Sequence, residues 1–75
     1  MAGKFNKAQK QCLSDIGMNI REIRNDAGLS QEKLALQSGI DRSYLGCVER
    51  GERNVTILNL KRIADALGVG IKDLL

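Results

Sequence analysis

Histidine, proline and tryptophan are absent from this 75-residue sequence, and aromatic side chains are reduced to Phe5 and Tyr44. Each shortage closes a class of function. With no histidine, and with Cys12 and Cys47 far apart and alone, there is no set of ligands spaced to hold a zinc ion, so no metal site is expected. No phosphate-cradling glycine loop is present, and no nucleophile has a base near it, so the chain does not read as an enzyme and no cofactor is implied. Two aromatic rings cannot form the row of stacking platforms that single-stranded nucleic acid requires. No apolar run is long enough for a signal peptide or a membrane span, and two unpaired cysteines suit a reducing compartment. A cytoplasmic protein without a membrane partner is the expectation. The length allows one modest core and leaves no material for a deep cleft, so a small-molecule ligand is not expected either.

What is present points to helices. Hydrophobic residues make up 43% of the chain, enough for a packed core, and the absence of proline removes the usual interruption of a helix. The formal charge of +3 is a mild bias toward polyanions. Residues 1–7 carry no helical period and read as a flexible basic arm, although Lys4, Lys7 and Lys10 are not assigned to any site. From about Ala8, the apolar positions Cys12, Leu13, Ile16, Ile20 and Ile23 fall on one helical face as far as Asp26, with Gly28 as the stop. Gly17 lies inside this helix, where close approach of a neighbouring helix is a reason to keep it.

The stretch Gln31–Arg50 reads as two short helices joined by a tight turn. Ser30 caps the first, Gln31–Ser38, without a reciprocal capping box because position 33 is lysine. Gly39 supplies the turn, Asp41 caps the second helix, Arg42–Arg50, and Gly51 closes it. Leu45 and Val48 share an inward face of that second helix. Arg42, Ser43, Gly46, Cys47 and Arg50 are left for an outer face that is small, polar and positive, with the dimensions to enter the major groove of DNA. Thr56 then caps a further helix with Ile57, Leu60, Ile63, Ala64 and Leu67 at core spacing, ended by Gly68, and Ile71, Leu74 and Leu75 form a last helical turn. Leu58 lies off the core face. With the apolar terminus it is more hydrophobic surface than so small a core needs, which suggests a partner.

From Ile20 to Leu75 this pattern resembles the phage-repressor-like helix-turn-helix family of bacterial and phage regulators. The resemblance is carried by Leu29-Ser30-Gln31, Leu34-Ala35, Ser38-Gly39 and Leu45 through Val48-Glu49-Arg50-Gly51. The runs Asp41-Arg42-Ser43-Tyr44-Leu45 and Glu49-Arg50-Gly51-Glu52-Arg53-Asn54-Val55-Thr56 are most similar to the small controller proteins of restriction-modification systems. The resemblance implies an all-α, five-helix, single-domain fold over residues 1–75, with the helix-turn-helix at 31–50 and a dimerisation region at 57–75. It implies a homodimer that sets two recognition helices in successive major grooves of a palindromic double-stranded operator. Arg42 would read base edges, with Ser43 and Tyr44 beside it. Gln31 would touch phosphate, and Arg50, Arg53 and Asn54 would clamp the backbone. Leu58, Ile71, Leu74 and Leu75 would form the dimer interface, and Arg24 and Glu49 a structural ion pair between the first and third helices. Ser38 stands where the family often buries an apolar residue, which would loosen the turn. Gly46 stands where a longer side chain commonly helps to read DNA, which would shift recognition toward DNA shape. The function expected is sequence-specific transcription regulation. An antitoxin or other protein-interaction module with secondary DNA binding ranks behind it, because no separate toxin-binding extension is recognisable.

Overall fold

The computed structural model describes residues 5–75. Four α-helices follow one another: α1 (Lys7–Asp26), α2 (Gln31–Ser38), α3 (Arg42–Glu49) and α4 (Ile57–Leu67), and a short 3-10 turn, Ile71–Asp73, follows α4. The fold among the described residues is therefore all-helical, with four α-helices and a 3-10 turn where five helices were expected. The terminal apolar segment spans too few residues to close more than one tight turn.

Local chemistry fixes the start of each helix. The Asn6 side chain accepts from the Gln9 backbone N–H at 2.8 Å, and the Gln9 side chain accepts in return from the Asn6 N–H at 3.0 Å. This reciprocal box starts α1 at Lys7, so residues 6 and 7 belong to the helix start rather than to an arm. Lys4 lies outside the described residues. Ser30, Asp41 and Thr56 cap α2, α3 and α4 as the sequence suggests, each side chain accepting from a backbone N–H of the first turn. Gly39, at φ 73°, ends α2 in the left-handed region and turns the chain into α3, a conformation that a side chain would strain.

Ile20, Leu34, Leu45, Val48, Ile63 and Leu74 are the largest fully buried side chains, and they join all four helices and the last turn into one aliphatic core. Each such side chain contributes roughly 1.5–3 kcal/mol over an exposed one. α1 packs on α3, and α2 packs on both α3 and α4. Where α1 meets α3, a Cβ at Gly17 would sit 2.5 Å from the Val48 carbonyl oxygen and closer still to that of Glu49. The glycine is thus the close approach that its helical position suggests. It brings the backbone of α1 onto the end of α3.

Three expected core or interface positions fall elsewhere. Cys12 is exposed although Leu13 beside it is buried, so it lies off the side of α1 that carries Leu13, Ile16, Gly17, Ile20 and Arg24. Ile57 is exposed at the first turn of α4, whose buried residues are Leu60, Ile63 and Ala64. Leu74 lies wholly inside the core of its own chain, so it is not free for a dimer interface. The 3-10 turn folds it inward, and Asn19 on α1 donates to its carbonyl oxygen at 3.1 Å. Leu58 and Leu75 are 70% and 67% exposed, and Ile71 is half-buried.

Candidate nucleic-acid interface

The outer surface of α3 begins at Asp41, whose carboxylate accepts from the backbone N–H groups of Ser43 at 3.0 Å and Tyr44 at 3.3 Å. That cap fixes the first turn and leaves the side chains of Arg42 and Ser43 in solvent. Behind them, Leu45 and Val48 anchor the opposite face in the core. Short side chains on an eight-residue helix are thereby presented from a rigid backing, the condition for reading a groove by shape and hydrogen bonding.

Glu49 is part of that backing. Its carboxylate is fully buried and receives Arg24 Nε at 2.7 Å and Nη2 at 3.0 Å, a bidentate pair linking α1 to α3. Arg24 Nη1 also donates to the Leu29 carbonyl at 2.8 Å, which draws in the segment before α2. Gln31 completes the group, donating its amide to Glu49 Oε1 at 2.9 Å, and Arg21 Nε lies 3.7 Å from the same oxygen. Gln31, expected at phosphate, is thus half-buried with its amide nitrogen engaged inside the protein. Among the described residues no buried side-chain nitrogen or oxygen lacks a partner.

Farther along α3 the surface differs from its periodic projection. Gly46 is buried, not exposed. Arg50 folds back over it: a Cβ at Gly46 would lie 3.3 Å from Arg50 Nη1 and 3.7 Å from Gln31 Oε1. The missing side chain is the space these two occupy. Cys47, half-buried, accepts from Arg50 Nη2 at 3.4 Å, and Arg50 Nε lies 3.1 Å from Glu52. The hydrogen bond to Glu52, followed by its charge, raises the Arg50 pKa above its already high ordinary value, so the guanidinium remains a cation at the surface. Arg53 and Asn54 are exposed in the connection to α4.

Tyr44 occupies the border between this surface and the core. Its ring is partly buried against the core cluster, with the Arg53 guanidinium carbon 5.1 Å from the ring centroid. The phenol oxygen accepts from Asn59 Nδ2 at 3.2 Å, and Asn59 belongs to α4, outside the helix-turn-helix. Sequence patterning does not single out Asn59. Its spacing from Thr56 marks it as part of a capped first turn, while its partner is fifteen positions away. The structure thus gathers Arg42, Ser43, Tyr44, Cys47, Arg50, Arg53 and Asn54 around α3 and the loop after it, with three guanidinium groups among them. Gly46 and Gln31 lie underneath as spacer and brace. Among the described residues no group of three acidic or cysteine side chains is arranged to hold a metal ion, and no helix is long and apolar enough to cross a membrane.

A helix-turn-helix family model matches residues 20–74. The control protein C.BamHI of Bacillus amyloliquefaciens is 47% identical over 60 residues, covering 79% of this chain and 74% of its own length. The crystal structure of the restriction-modification controller protein C.AhdI from Aeromonas hydrophila superposes with a TM-score of 0.85 at 48% identity, covering 87% of this chain and 98% of that one. The biofilm master regulator SinR, whose structure is a complex with DNA, superposes with a TM-score of 0.76 at 33% identity, covering 79% of this chain and 95% of that one. With the two capped helices, the glycine turn between them and the groove-sized outer face of α3 in place, the chain belongs to the helix-turn-helix family, and within it is similar to the controller proteins of restriction-modification systems.

Proposed function

We propose that this protein is a cytoplasmic, sequence-specific regulator of transcription that binds a palindromic double-stranded operator as a homodimer, and that it is the controller protein of a restriction-modification system. The observation that carries this reading is the exposure of Arg42 and Ser43 on the first turn of α3, with Leu45, Val48 and the Arg24–Glu49 pair bracing the helix from behind. An arginine so placed reaches guanine O6 and N7 through two parallel hydrogen bonds, and serine tolerates several bases. Arg50, Arg53 and Asn54 flank it at the level of the phosphates. The likeness to control proteins and to a DNA-bound regulator supports the same reading.

Regulation by such a protein is occupancy: a bound dimer either obstructs polymerase or holds it at the promoter. The exposed Leu58 and Leu75, with half-buried Ile71 between them in sequence, are the apolar side chains offered to a second copy. Two-fold symmetry would then set the recognition helices about one DNA turn, roughly 34–36 Å, apart. The test is a gel-shift titration on DNA from upstream of the protein's own coding sequence and on a scrambled duplex. Arg42→Ala is expected to cost about 1–3 kcal/mol on the specific site while scrambled DNA is bound almost as before. Equal losses on both duplexes would remove Arg42 from base reading.

A further inference from the structure

We infer that Asn59, on α4 and outside the helix-turn-helix, is a positioning residue for DNA binding: it holds the Tyr44 phenol so that its single proton is directed outward, to a phosphate or base oxygen. The inference rests on the DNA-binding reading above and deepens it. Tyr44 is held at three points. Its backbone N–H donates to Asp41 at 3.3 Å, its ring carries the Arg53 guanidinium at 5.1 Å, and its oxygen accepts from Asn59 Nδ2 at 3.2 Å. A phenol accepts and donates independently, and among the described residues the Tyr44 hydroxyl accepts from Asn59 and donates to no protein group, so its one proton is left for an acceptor outside the protein. Acceptance also polarises the O–H bond and makes it a stronger donor.

Asn59 is itself fixed. Its backbone N–H donates to Thr56 Oγ1 at 3.1 Å, which locks the first turn of α4, and the residue is half-buried between α4 and α3. A side chain free in solvent could not orient the phenol. The aligned ring in turn gives Arg53, which lies in a loop, a surface on which to rest. Loss of Asn59 therefore affects two DNA contacts while touching no DNA itself.

The sequence contains one tyrosine and no tryptophan, so tyrosine absorption and fluorescence report on Tyr44 alone. A duplex selected by the wild-type protein from a random library serves as the probe. Asn59→Ala is expected to shift the tyrosine spectrum of the free protein, keep its helical circular dichroism, and weaken the selected duplex about three- to tenfold, the scale of one hydrogen bond. In a Tyr44→Phe background the same change is expected to cost little more than Tyr44→Phe alone. Asn59→Asp, whose carboxylate would accept a hydrogen bond from the phenol O–H and so turn it inward, is expected to weaken binding more in the tyrosine protein than in the phenylalanine one, a difference that added negative charge alone would not produce. Additive losses for Asn59→Ala and Tyr44→Phe, or wild-type affinity in Asn59→Asp, would overturn the inference. If the wild-type protein selects no sequence at all, the DNA-binding reading fails instead.

Discussion

Glu49 sits on the recognition helix and serves the fold. Its carboxylate is wholly buried, and Arg24 and Gln31 reach it from two other helices, so one side chain fixes how α3 lies on both. Such a pair adds little if both members are replaced by well-packed apolar groups, but removing one member strands the other in the interior. Glu49→Ala is expected to lose about 3–5 kcal/mol, seen as a large fall in the thermal midpoint by circular dichroism. An unchanged midpoint would mean that water reaches Arg24. Ser38 answers the same problem of burial more cheaply. Its hydroxyl donates toward the Leu34 and Ala35 carbonyl oxygens at 2.7 and 3.2 Å, so a polar residue at an apolar position is satisfied within its own helix. The loosened turn expected from the sequence is not what the hydrogen bonds describe.

At the scale of elements, the caps do different work: Asp41 sets the first turn of α3 that carries Arg42 and Ser43, while Asn6 starts α1. The Asn6–Gln9 box begins α1 at the opposite end of that helix from Arg24, and Gln9 lines a shallow surface pocket together with Asn54 of the loop after α3. Asn6→Ala is expected to cost about 0.5–2 kcal/mol of stability, read as a fall in the thermal midpoint by circular dichroism. The helix ends were legible in the sequence because their punctuation is local. Ser30 and Gly39 bracket α2 at the limits the sequence suggests, whereas the start of α1 was missed, because the Asn6–Gln9 box opens inside the stretch that reads as an arm. The buried faces were legible in phase but not in extent. Cys12 and Ile57 both have the right spacing and both are exposed, since periodicity places a residue near a face and not how wide a strip its neighbours cover.

For the molecule as a whole, the division between core and partner surface is a tertiary fact. Ile71, Leu74 and Leu75 share one short apolar segment, yet Leu74 is fully buried while Leu75 is 67% exposed. No pattern in five residues separates the two. The same holds for the DNA face: Arg42 and Ser43 project outward as their helical positions dictate, whereas the fold of Arg50 over Gly46 and the reach of Asn59 to Tyr44 depend on side chains meeting through space. The exposed apolar residues lead to a test of assembly. Leu58→Glu is expected to convert a dimer into a monomer in sedimentation experiments with little change in melting of the monomer fold. Operator affinity should fall steeply, because one half-site then binds without the help of the other. A monomeric wild-type protein, or a variant that still sediments as a dimer, would place the interface elsewhere.

The close contact at Gly17 has a consequence for how such a regulator can change its target. Because α1 rests on the backbone of Val48 and Glu49, and Leu45 and Val48 fill the core, α3 devotes about half its length to staying in place. The outward side of α3 is correspondingly short, Arg42 and Ser43 exposed and Cys47 half-buried, with Arg50 laid over Gly46. Substitution at Arg42 or Ser43 is therefore expected to leave the fold standing, while a side chain at Gly17 or the loss of Glu49 would displace α3 itself.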